Sequence, residues 1–282
     1  MSAPLLGRPR DTELLIMSVN VRRDLGVLAV RAADRWSARR NHVAAMLRAE
    51  QPTVLAVQEA LPTQARAIRA ALGPAYGSIG HGRRPGPRGE GCPVFYDRER
   101  LELLDGWQRA LSDRPEVPGS IAWTSVLPRV VVGARFRDRR CGVEFTLLNT
   151  HLDAFSPWAR RRQAAEVHAA AVAAGTPVVV TGDLNAAEGS APWRALTADG
   201  ALRDTWRVAD TRATPAWGTF AHYRTPRVGR RIDAILASAE VHVVRAGIDP
   251  RQHGGGWPSD HLPVQALVDL APPAPGPLGE GA

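Results

Sequence analysis

Lysine is absent from this chain of 282 residues, so all 36 residues counted as Lys or Arg are arginine. The formal net charge is +8, and a basic surface would ordinarily suggest nucleic acid as a partner, because phosphate backbones attract it. The abundance of Ala, Gly, Pro and Arg indicates instead a GC-rich coding bias that acts on the whole sequence. The charge is therefore compatible with any anionic substrate and selects none.

Cysteine is scarce, and long apolar runs are missing. Cys92 and Cys141 are too few for a small secreted scaffold held by disulfides, so we expect the buried thiols of a cytoplasmic protein. No apolar run is long enough to span a bilayer, and residues 1–10 lack the apolar stretch of a signal peptide. We therefore expect a cytoplasmic location and no membrane partner, while the sequence leaves oligomeric partners unknown.

The apolar residues that are present suffice for a large core. Hydrophobic residues make up 44% of the chain and charged residues 23%, which is normal for a soluble globular protein. We find neither a repeat nor a linker between residues 14 and 270. This predicts one domain over residues 14–270, with flexible tails at 1–13 and at the Pro/Gly-rich 271–282.

Local patterns predict alternating strands and helices. Two continuous apolar runs, 14–20 and 54–58, are typical of strands that are covered on both faces. Between them the spacing of apolar residues predicts a helix over 36–50. Further helices are expected at 62–72, 157–174 and after Ser190, and further strands at 93–96, 101–104, 130–137, 143–151, 177–181, 231–237, 241–246 and 262–270. We predict a basic loop at 80–91 and irregular structure at 210–228.

Polar residues gather at the ends of these apolar runs. They are Asn20, Gln58-Glu59, Asn149-Thr150-His151, Gly182-Asp183-Leu184-Asn185, Arg231-Ile232-Asp233 and Ser259-Asp260-His261. Strand ends are where a sheet scaffold brings polar groups into one pocket. Carboxylates, amides and imidazoles together suit a hard divalent cation, a phosphate and an activated water.

Two pairs of these residues suggest particular chemistry. A turn around Leu184 could aim Asp183 at an attacking water and the Asn185 amide at a phosphoryl oxygen, although Asp and Asn also favour turns for local reasons. Asp233 could hold one ring nitrogen of His261 and so fix its tautomer. Turn preference alone would explain either Asp183 or Asn185, but it explains the whole constellation poorly.

In this order the six motifs resemble the endonuclease/exonuclease/phosphatase superfamily, and the resemblance covers residues 14–270. It implies an α/β fold, a four-layer α/β sandwich in which helices flank two packed, mixed and largely antiparallel β-sheets. Residues 90–96 and 127–129 look like the bacterial stand-alone, metal-dependent phosphohydrolase branch. Abasic-site DNA endonucleases usually have a Lys soon after their Gln-Glu, whereas Gln58-Glu59 is followed by Ala-Leu-Pro.

The resemblance also implies roles for individual residues. It makes Glu59 the principal ligand of Mg²⁺, or alternatively Mn²⁺, with help from Asn20 and Asp260; without the other motifs, Glu59 would be explained by the favourable dipole of the next helix. The implied catalytic residues are His151, Asp183, Asn185, Asp233 and His261. Weaker candidates for contact with substrate are Asn149, Asp153, Arg129 and Glu90.

The expected activity is Mg²⁺-dependent hydrolysis of a phosphate monoester or diester by in-line attack of water, with either Asp183 or His261 as the base. The partner would be a phosphorylated small molecule or a single-stranded nucleic acid. One alternative is a DNA endonuclease or exonuclease with an arginine face formed by Arg83, Arg84, Arg88, Arg224 and Arg227; another is a non-catalytic binding module. Trp206, Phe220 and Tyr223 could stack on a ring, although core packing is favoured for Phe220.

Overall fold

Two β-sheets stacked face to face form the centre of the molecule, which a computed structural model describes over residues 3–270. The strands of this part of the chain are β1 (Glu13–Asn20), β2 (Val54–Gln58), β3 (Tyr76–Ile79), β4 (Gly82–Arg84), β5 (Arg88–Gly91), β6 (Val94–Asp97), β7 (Leu101–Ala110), β8 (Val130–Asp138), β9 (Glu144–His151), β10 (Val178–Asp183), β11 (Arg203–Asp204), β12 (Thr211–Arg212), β13 (Asp233–Ala237), β14 (His242–Ile248) and β15 (Val264–Asp269). The helices are α1 (Trp36–Glu50), α2 (Pro62–Leu72), α3 (Pro157–Val172), α4 (Ala191–Leu196) and α5 (Thr205–Val208).

Each sheet is mixed and mainly antiparallel. The first sheet has the order β12-β14-β15-β1-β2-β6-β3, and the second has the order β11-β13-β10-β9-β8-β7. Strands β1 and β2 are parallel, as are β9 and β10 and the short pair β12 and β14, whereas the other paired strands are antiparallel. The four-layer sandwich implied by the sequence is thereby confirmed.

Three apolar layers hold the sandwich together. The largest lies between the sheets and joins residues such as Ile16 of the first sheet to Phe136 of the second. A second layer packs α1 and α2 on the outer face of the first sheet, and a third packs α3 and α4 on the outer face of the second. Because both faces of β1, β2 and β10 are covered, these strands are buried along their full length, as their continuous apolar sequences predict.

The topology brings four strand ends to one edge of the sandwich. In the first sheet β1 and β2 are parallel neighbours connected through α1, and in the second sheet β9 and β10 are parallel neighbours connected through α3. Asn20 lies beside Gln58 at the carboxyl ends of the first pair, and His151 lies beside Asp183 at the ends of the second. Asp183 is also paired across the sheet with Asp233 of β13. Polar residues distant in sequence therefore meet.

The structure corrects several local expectations. Residues 3–13 are not a free tail, because Leu6 is only 1% exposed and packs with Leu15 and Leu267. The basic segment 80–91 contains the β4–β5 hairpin, and β7 continues to Ala110 because it pairs with β8 over its whole length. Residues 271–282, the other expected tail, lie outside the described residues.

The predicted boundaries of one domain at 14–270 stay a prediction. None of the helices between residues 3 and 270 is both long enough and apolar enough to cross a membrane.

Candidate active site

A polar cleft of about 320 Å³ opens at the edge where the strand ends meet. Its walls come from both sheets and from the loops that follow β1, β2, β9 and β10. The residues that line it include Arg22, Glu59, Glu90, Arg129, His151, Asp183, Asn185, Phe220, Asp260 and His261. Most of the predicted site residues therefore share one cavity.

Asp183 is buried at the base of this cleft. Its Oδ2 accepts a hydrogen bond from Asn20 Nδ2 at 3.0 Å, and the same amide nitrogen donates to Glu59 Oε1 at 3.0 Å. His151 Nε2 and His261 Nε2 lie 3.6 Å and 3.8 Å from Asp183 Oδ2. Asn20 thus links the carboxylates of the two sheets, and its side-chain oxygen accepts the backbone N–H of Arg22 at 2.9 Å.

The predicted pairing of Asp233 with His261 is present. His261 Nδ1 lies 2.9 Å from Asp233 Oδ2, and both side chains are buried. Burial alone would lower the pKa of His261, but Asp233 and Asp183 raise it to about 10. At neutral pH the His261 ring is therefore a cation held between two carboxyl groups.

Burial shifts the pKa values of Asp183 and His151 in opposite directions. Burial and the nearby Asp233 raise the pKa of Asp183 to about 7. Burial lowers the pKa of His151 well below its usual value, and Arg129 and Arg83 lower it further. Consequently Asp183 exchanges a proton near neutral pH, while His151 is a neutral imidazole.

Asn185 sits in the turn after β10, at a positive φ of 47°. Its backbone N–H donates to Asp183 Oδ1 at 2.9 Å, and its side-chain nitrogen donates to the Leu152 carbonyl at 3.0 Å. The amide carries two N–H groups, so one of them is left for a molecule in the cleft. The turn considered for the sequence Asp-Leu-Asn is therefore present, and it places Asn185 at the wall of the cleft.

Arg129 is a buried cation on another wall of the cleft, only 3% exposed. Its Nε and Nη1 find no hydrogen-bond partner among residues 3–270, and Nε is 3.7 Å from Asp153 Oδ2. A buried guanidinium without hydrogen bonds is costly, and an anion in the cleft would relieve that cost.

Glu59 and Asp260 provide oxygen donors that fit a divalent cation. Burial alone would raise the pKa of Glu59, but the backbone N–H of Arg23 and the Asn20 amide lower it. Burial raises the pKa of Asp260, and the negative charge of Glu59 adds to this, which indicates carboxylates crowded together. Arg22 Nε, at 3.6 Å from Asp260 Oδ2, partly offsets their charge. Hard carboxylate oxygens in such a group are the donors that Mg²⁺ prefers.

A second group also has ligand atoms close together. Candidate ligand atoms of Asp183, Asp233 and His261 all lie within 4.8 Å of one another. In this trio Asp233 already holds His261 Nδ1, and the charge of His261 also acts on Glu59 and on Asp260. The cleft therefore offers two sets of candidate cation donors, Glu59 with Asp260 and the trio of Asp183, Asp233 and His261.

Two of the weaker candidates lie behind the cleft rather than in it. Asn149 is fully buried; it accepts from Gln58 Nε2 at 2.8 Å and donates to the carbonyls of Val57 and Cys92, so it ties the two sheets together. Asp153 accepts the backbone N–H groups of Phe155 and Ser156 and orders the loop beside Arg129. Glu90 does line the cleft, where it forms an ion pair with Arg83.

Other residues differ from their sequence-based interpretation. Phe220 is not a core residue, since it is 49% exposed and its ring centroid lies 4.9 Å from that of His261. Trp206, by contrast, is buried in the core. Sequence reasoning missed Arg39, which is 1% exposed and donates to the carbonyls of Arg22, Ala33 and Pro258, thereby joining the loops that carry Arg22 and Asp260. No signal distinguishes it from the other arginines of the sequence.

Comparison with known proteins agrees with this geometry. Residues 17–261 match the model of the Endonuclease/Exonuclease/phosphatase family. A solved protein of that family from Bacteroides thetaiotaomicron is 28% identical, with 92% of this chain and 96% of that chain covered and a TM-score of 0.84. A mannosyl-6-phosphatase from B. thetaiotaomicron VPI-5482 is also 28% identical, with coverages of 90% and 99% and a TM-score of 0.83.

More distant structures share the fold alone. TDP2 from D. rerio, solved with a single-strand DNA product, is 19% identical, with 92% of this chain and 99% of that chain covered and a TM-score of 0.68. A search of curated protein sequences gives no match.

Proposed function

This chain belongs to the endonuclease/exonuclease/phosphatase family, and we propose that it is a metal-dependent hydrolase that cleaves a phosphate ester by attack of water. One observation carries this proposal. Asp183 Oδ2 lies 3.6 Å from His151 Nε2 and 3.8 Å from His261 Nε2, in the same cleft as the buried Arg129. Nε and Nη1 of Arg129 have no hydrogen-bond partner among residues 3–270. A proton acceptor beside several donors is the arrangement that hydrolysis of an anionic ester requires.

Glu59 and Asp260 would hold the divalent cation, Mg²⁺ or alternatively Mn²⁺. When bound, such an ion polarises a phosphoryl oxygen and stabilises the leaving oxygen. Asn20 supports this role indirectly, because its amide holds Glu59 in place through a hydrogen bond and leaves the carboxylate oriented towards the cleft. The left-handed backbone at Arg22 and Glu59, with φ of 54° and 61°, is the kind of strain that accumulates at functional sites.

Asp183 is our choice for the general base. Its pKa near 7 lets it accept the proton of the attacking water, whereas His261 already carries a proton at neutral pH. In this proposal His261 donates to a phosphoryl oxygen, and Asp233 keeps it charged. His151, the free N–H of Asn185 and the guanidinium of Arg129 stabilise the remaining negative charge.

We propose a phosphorylated small molecule as the substrate class. The resemblance to a mannosyl-6-phosphatase, which covers 99% of that chain, supports this choice. The arginine face expected of a DNA nuclease is incomplete, because Arg83 is 6% exposed and paired with Glu90. Arg224 and Arg227 line the cavity beside the cleft and not the cleft itself.

Replacement of Asp183 by Asn tests the proposal. Asp183→Asn keeps the size of the side chain but removes the base, so we expect the turnover of phosphate esters to fall on the order of 10² to 10³-fold or more. The measurement is phosphate release from a panel of sugar phosphates, nucleotides, short RNA, single-stranded DNA and abasic duplex. His242→Asn is the matched control, because His242 is an exposed histidine that pairs with Asp210 at the surface.

The outcomes separate the candidate functions. Turnover lost in Asp183→Asn but kept in His242→Asn supports the proposed site, and preference for a DNA substrate would replace our substrate class with a nuclease. Asp183→Asn with the activity of the wild type would refute the assignment of the base. A folded protein that cleaves nothing and binds no metal would be a non-catalytic binding module.

A further inference from the structure

A second cavity, of about 720 Å³, adjoins the catalytic cleft. The two share Asn185, Phe220 and Ile232 as lining residues, so they are separated only by the ring of Phe220 and its neighbours. This cavity takes no part in the mechanism proposed above. Its volume lies within the range of pockets that hold small molecules.

Three arginines, Arg224, Arg227 and Arg230, line this cavity, and all three are exposed. Within residues 3–270, no carboxylate lies within ion-pairing distance of their guanidinium groups. The adjacent Arg231 shows the contrast, because it is buried and paired with Asp204 at 2.6 Å and with Glu188 at 3.2 Å. The cavity therefore concentrates positive charge that the described protein does not neutralise.

The positive charge of the second cavity continues towards the catalytic cleft. Arg160 donates to the Asn185 carbonyl at 2.7 Å. Burial lowers the pKa of Arg160 and the nearby Asp153 and Asp183 raise it, while the positive charges of Arg129 and Arg230 lower it. Arg160 therefore lies at Asn185, which lines both spaces, where Arg230 and Arg129 each repel it. An anion that spans both spaces would relieve this repulsion.

The arginines stand on a segment that the backbone fixes in place. The N–H of Gly218 donates to the Arg227 carbonyl at 2.8 Å, and that of Gly229 donates to the Ala216 carbonyl at 3.2 Å. The same hairpin-like segment joins the catalytic residues, because Phe220 pairs with His261 and the N–H of Leu262 donates to the Thr219 carbonyl at 2.7 Å. The cavity is therefore held at a fixed position relative to His261.

We propose that this cavity binds a second anionic group of the substrate, so that the preferred substrate is a small molecule with two phosphates. One phosphate is hydrolysed in the cleft: the oxygen of water bonds to phosphorus, the bond between phosphorus and the ester oxygen breaks, and the leaving alcohol takes up the proton that Asp183 accepted from water. The other phosphate is held by Arg224, Arg227 and Arg230. Phe220, half exposed between the two spaces, packs against the ring that joins the phosphates. The inference deepens the proposed function and rests on it.

Adenosine 3′,5′-bisphosphate is the probe, and the 3′- and 5′-monophosphates of adenosine are its comparators. For the wild type with Mg²⁺ we expect kcat/KM for the bisphosphate to exceed that for either monophosphate by at least about tenfold. Replacement of Arg224, Arg227 and Arg230 together by Gln removes three charges while it keeps a polar side chain at each position. We expect this variant to lose at least about tenfold more kcat/KM on the bisphosphate than on the monophosphates, chiefly through KM, because the bidentate contacts to phosphate are lost.

A matched triple variant controls for the overall charge. Arg48, Arg66 and Arg69 are exposed on α1 and α2, away from both spaces, and their replacement by Gln changes the net charge by the same amount. Equal losses of kcat/KM on the bisphosphate in the two triple variants would overturn the proposal. A wild type with the same kcat/KM for the bisphosphate and the monophosphates would also overturn it.

Equilibrium binding distinguishes failure of this inference from failure of the proposed hydrolysis. If no adenosine phosphate is turned over, calorimetry still compares the Kd of the bisphosphate in the wild type and in the Arg224/Arg227/Arg230 variant. A Kd of the bisphosphate that is at least about tenfold lower in the wild type than in the variant supports the proposed anion site. Equal Kd values overturn the proposal. Tighter competition by a short single-stranded DNA than by the bisphosphate would also overturn the small-molecule assignment.

Discussion

Asp183 is the residue on which the contacts of the site converge, because Asn20, Asn185, His151 and His261 all approach its two oxygens. Burial and Asp233 decide its protonation, and those same surroundings keep His261 charged. The proposed roles of Asp183 as base and of His261 as cation thus follow from the placement of two carboxyl groups around one imidazole. The sequence left this choice open because both residues are competent acceptors in isolation.

Asp233→Asn tests the role of the pair. The amide cannot hold a protonated imidazole through charge, so we expect the pKa of His261 to fall and turnover to decrease on the order of 10²-fold or more. Nuclear magnetic resonance of the histidine rings measures the pKa, and phosphate release measures turnover. An unchanged His261 titration would show that Asp233 plays no part in setting its charge.

Asp138 gives a prediction about stability that is independent of the cleft. Arg100 donates to both of its oxygens at 2.7 Å, and both side chains are buried. Burial would raise the pKa of Asp138, but the hydrogen bonds from Arg100 and from the Arg140 backbone lower it overall. Since the folded pKa is lowered, this carboxylate stabilises the fold above its unfolded pKa of about 3.9, and the contribution is lost as the pH falls through the lower folded value.

Asp138→Asn should therefore lower the free energy of unfolding at pH 7 by about 3 to 5 kcal/mol, because Arg100 loses its buried partner. Urea unfolding at pH 7 and at about pH 3 measures the difference between variant and wild type, which should shrink at the lower pH. The control is Glu144→Gln, which removes the exposed ion pairs of Glu144 with Arg135 and Arg137. We expect little change in its free energy of unfolding. If the variant loses the same free energy of unfolding at both pH values, the charge of Asp138 is not the cause of the loss.

At the scale of elements, the position of Asp183 depends on how closely β10 approaches β9. A Cβ at Gly182 would lie 2.2 Å from the carbonyl oxygen of Thr150, and backbone cannot yield as a flexible side chain does. Gly182→Ala should push β10 away, lower the free energy of unfolding by about 1 to 3 kcal/mol and displace Asp183, so that turnover falls as well.

The stability and the turnover of Gly182→Ala can be measured on the same sample. Gly218→Ala is the control for stability, since a Cβ there would meet its nearest atoms at an ordinary 3.5 Å. Equal stability of the two variants would contradict the account of close strand packing.

The elements also show which local structure the sequence can predict. Strands β1 and β2 and helix α1 follow from continuous apolar runs and helical spacing, because burial on both faces dictates their composition. The β4–β5 hairpin was missed because its Gly- and Arg-rich strands carry no apolar pattern, and they are joined by backbone pairing and the Arg83–Glu90 ion pair. The outer part of β7 was missed for a related reason, since its positions are mostly half-buried or exposed and follow no regular apolar pattern.

At the scale of the whole molecule, the sandwich places two parallel strand pairs so that their carboxyl ends face one cleft. Local patterns could not predict that meeting, because Asn20 and Asp183 form a hydrogen bond although they are 163 positions apart in the sequence. The resemblance of the ordered motifs supplied the topology, and it also named Glu59 and His261. It did not supply the second cavity, which depends on how the irregular segment around Arg224 and Arg230 folds beside Phe220.

The central claim, a divalent cation held by Glu59 and Asp260, is tested most directly by turnover as a function of Mg²⁺ concentration. The wild type and Glu59→Gln would be compared on the best substrate of the panel, in chelator and then across added Mg²⁺. We predict no turnover in chelator, recovery with Mg²⁺, and at least about a tenfold higher Mg²⁺ requirement in Glu59→Gln, because one charged oxygen ligand is lost. Full activity in chelator, or an unchanged Mg²⁺ requirement in the variant, would contradict the account.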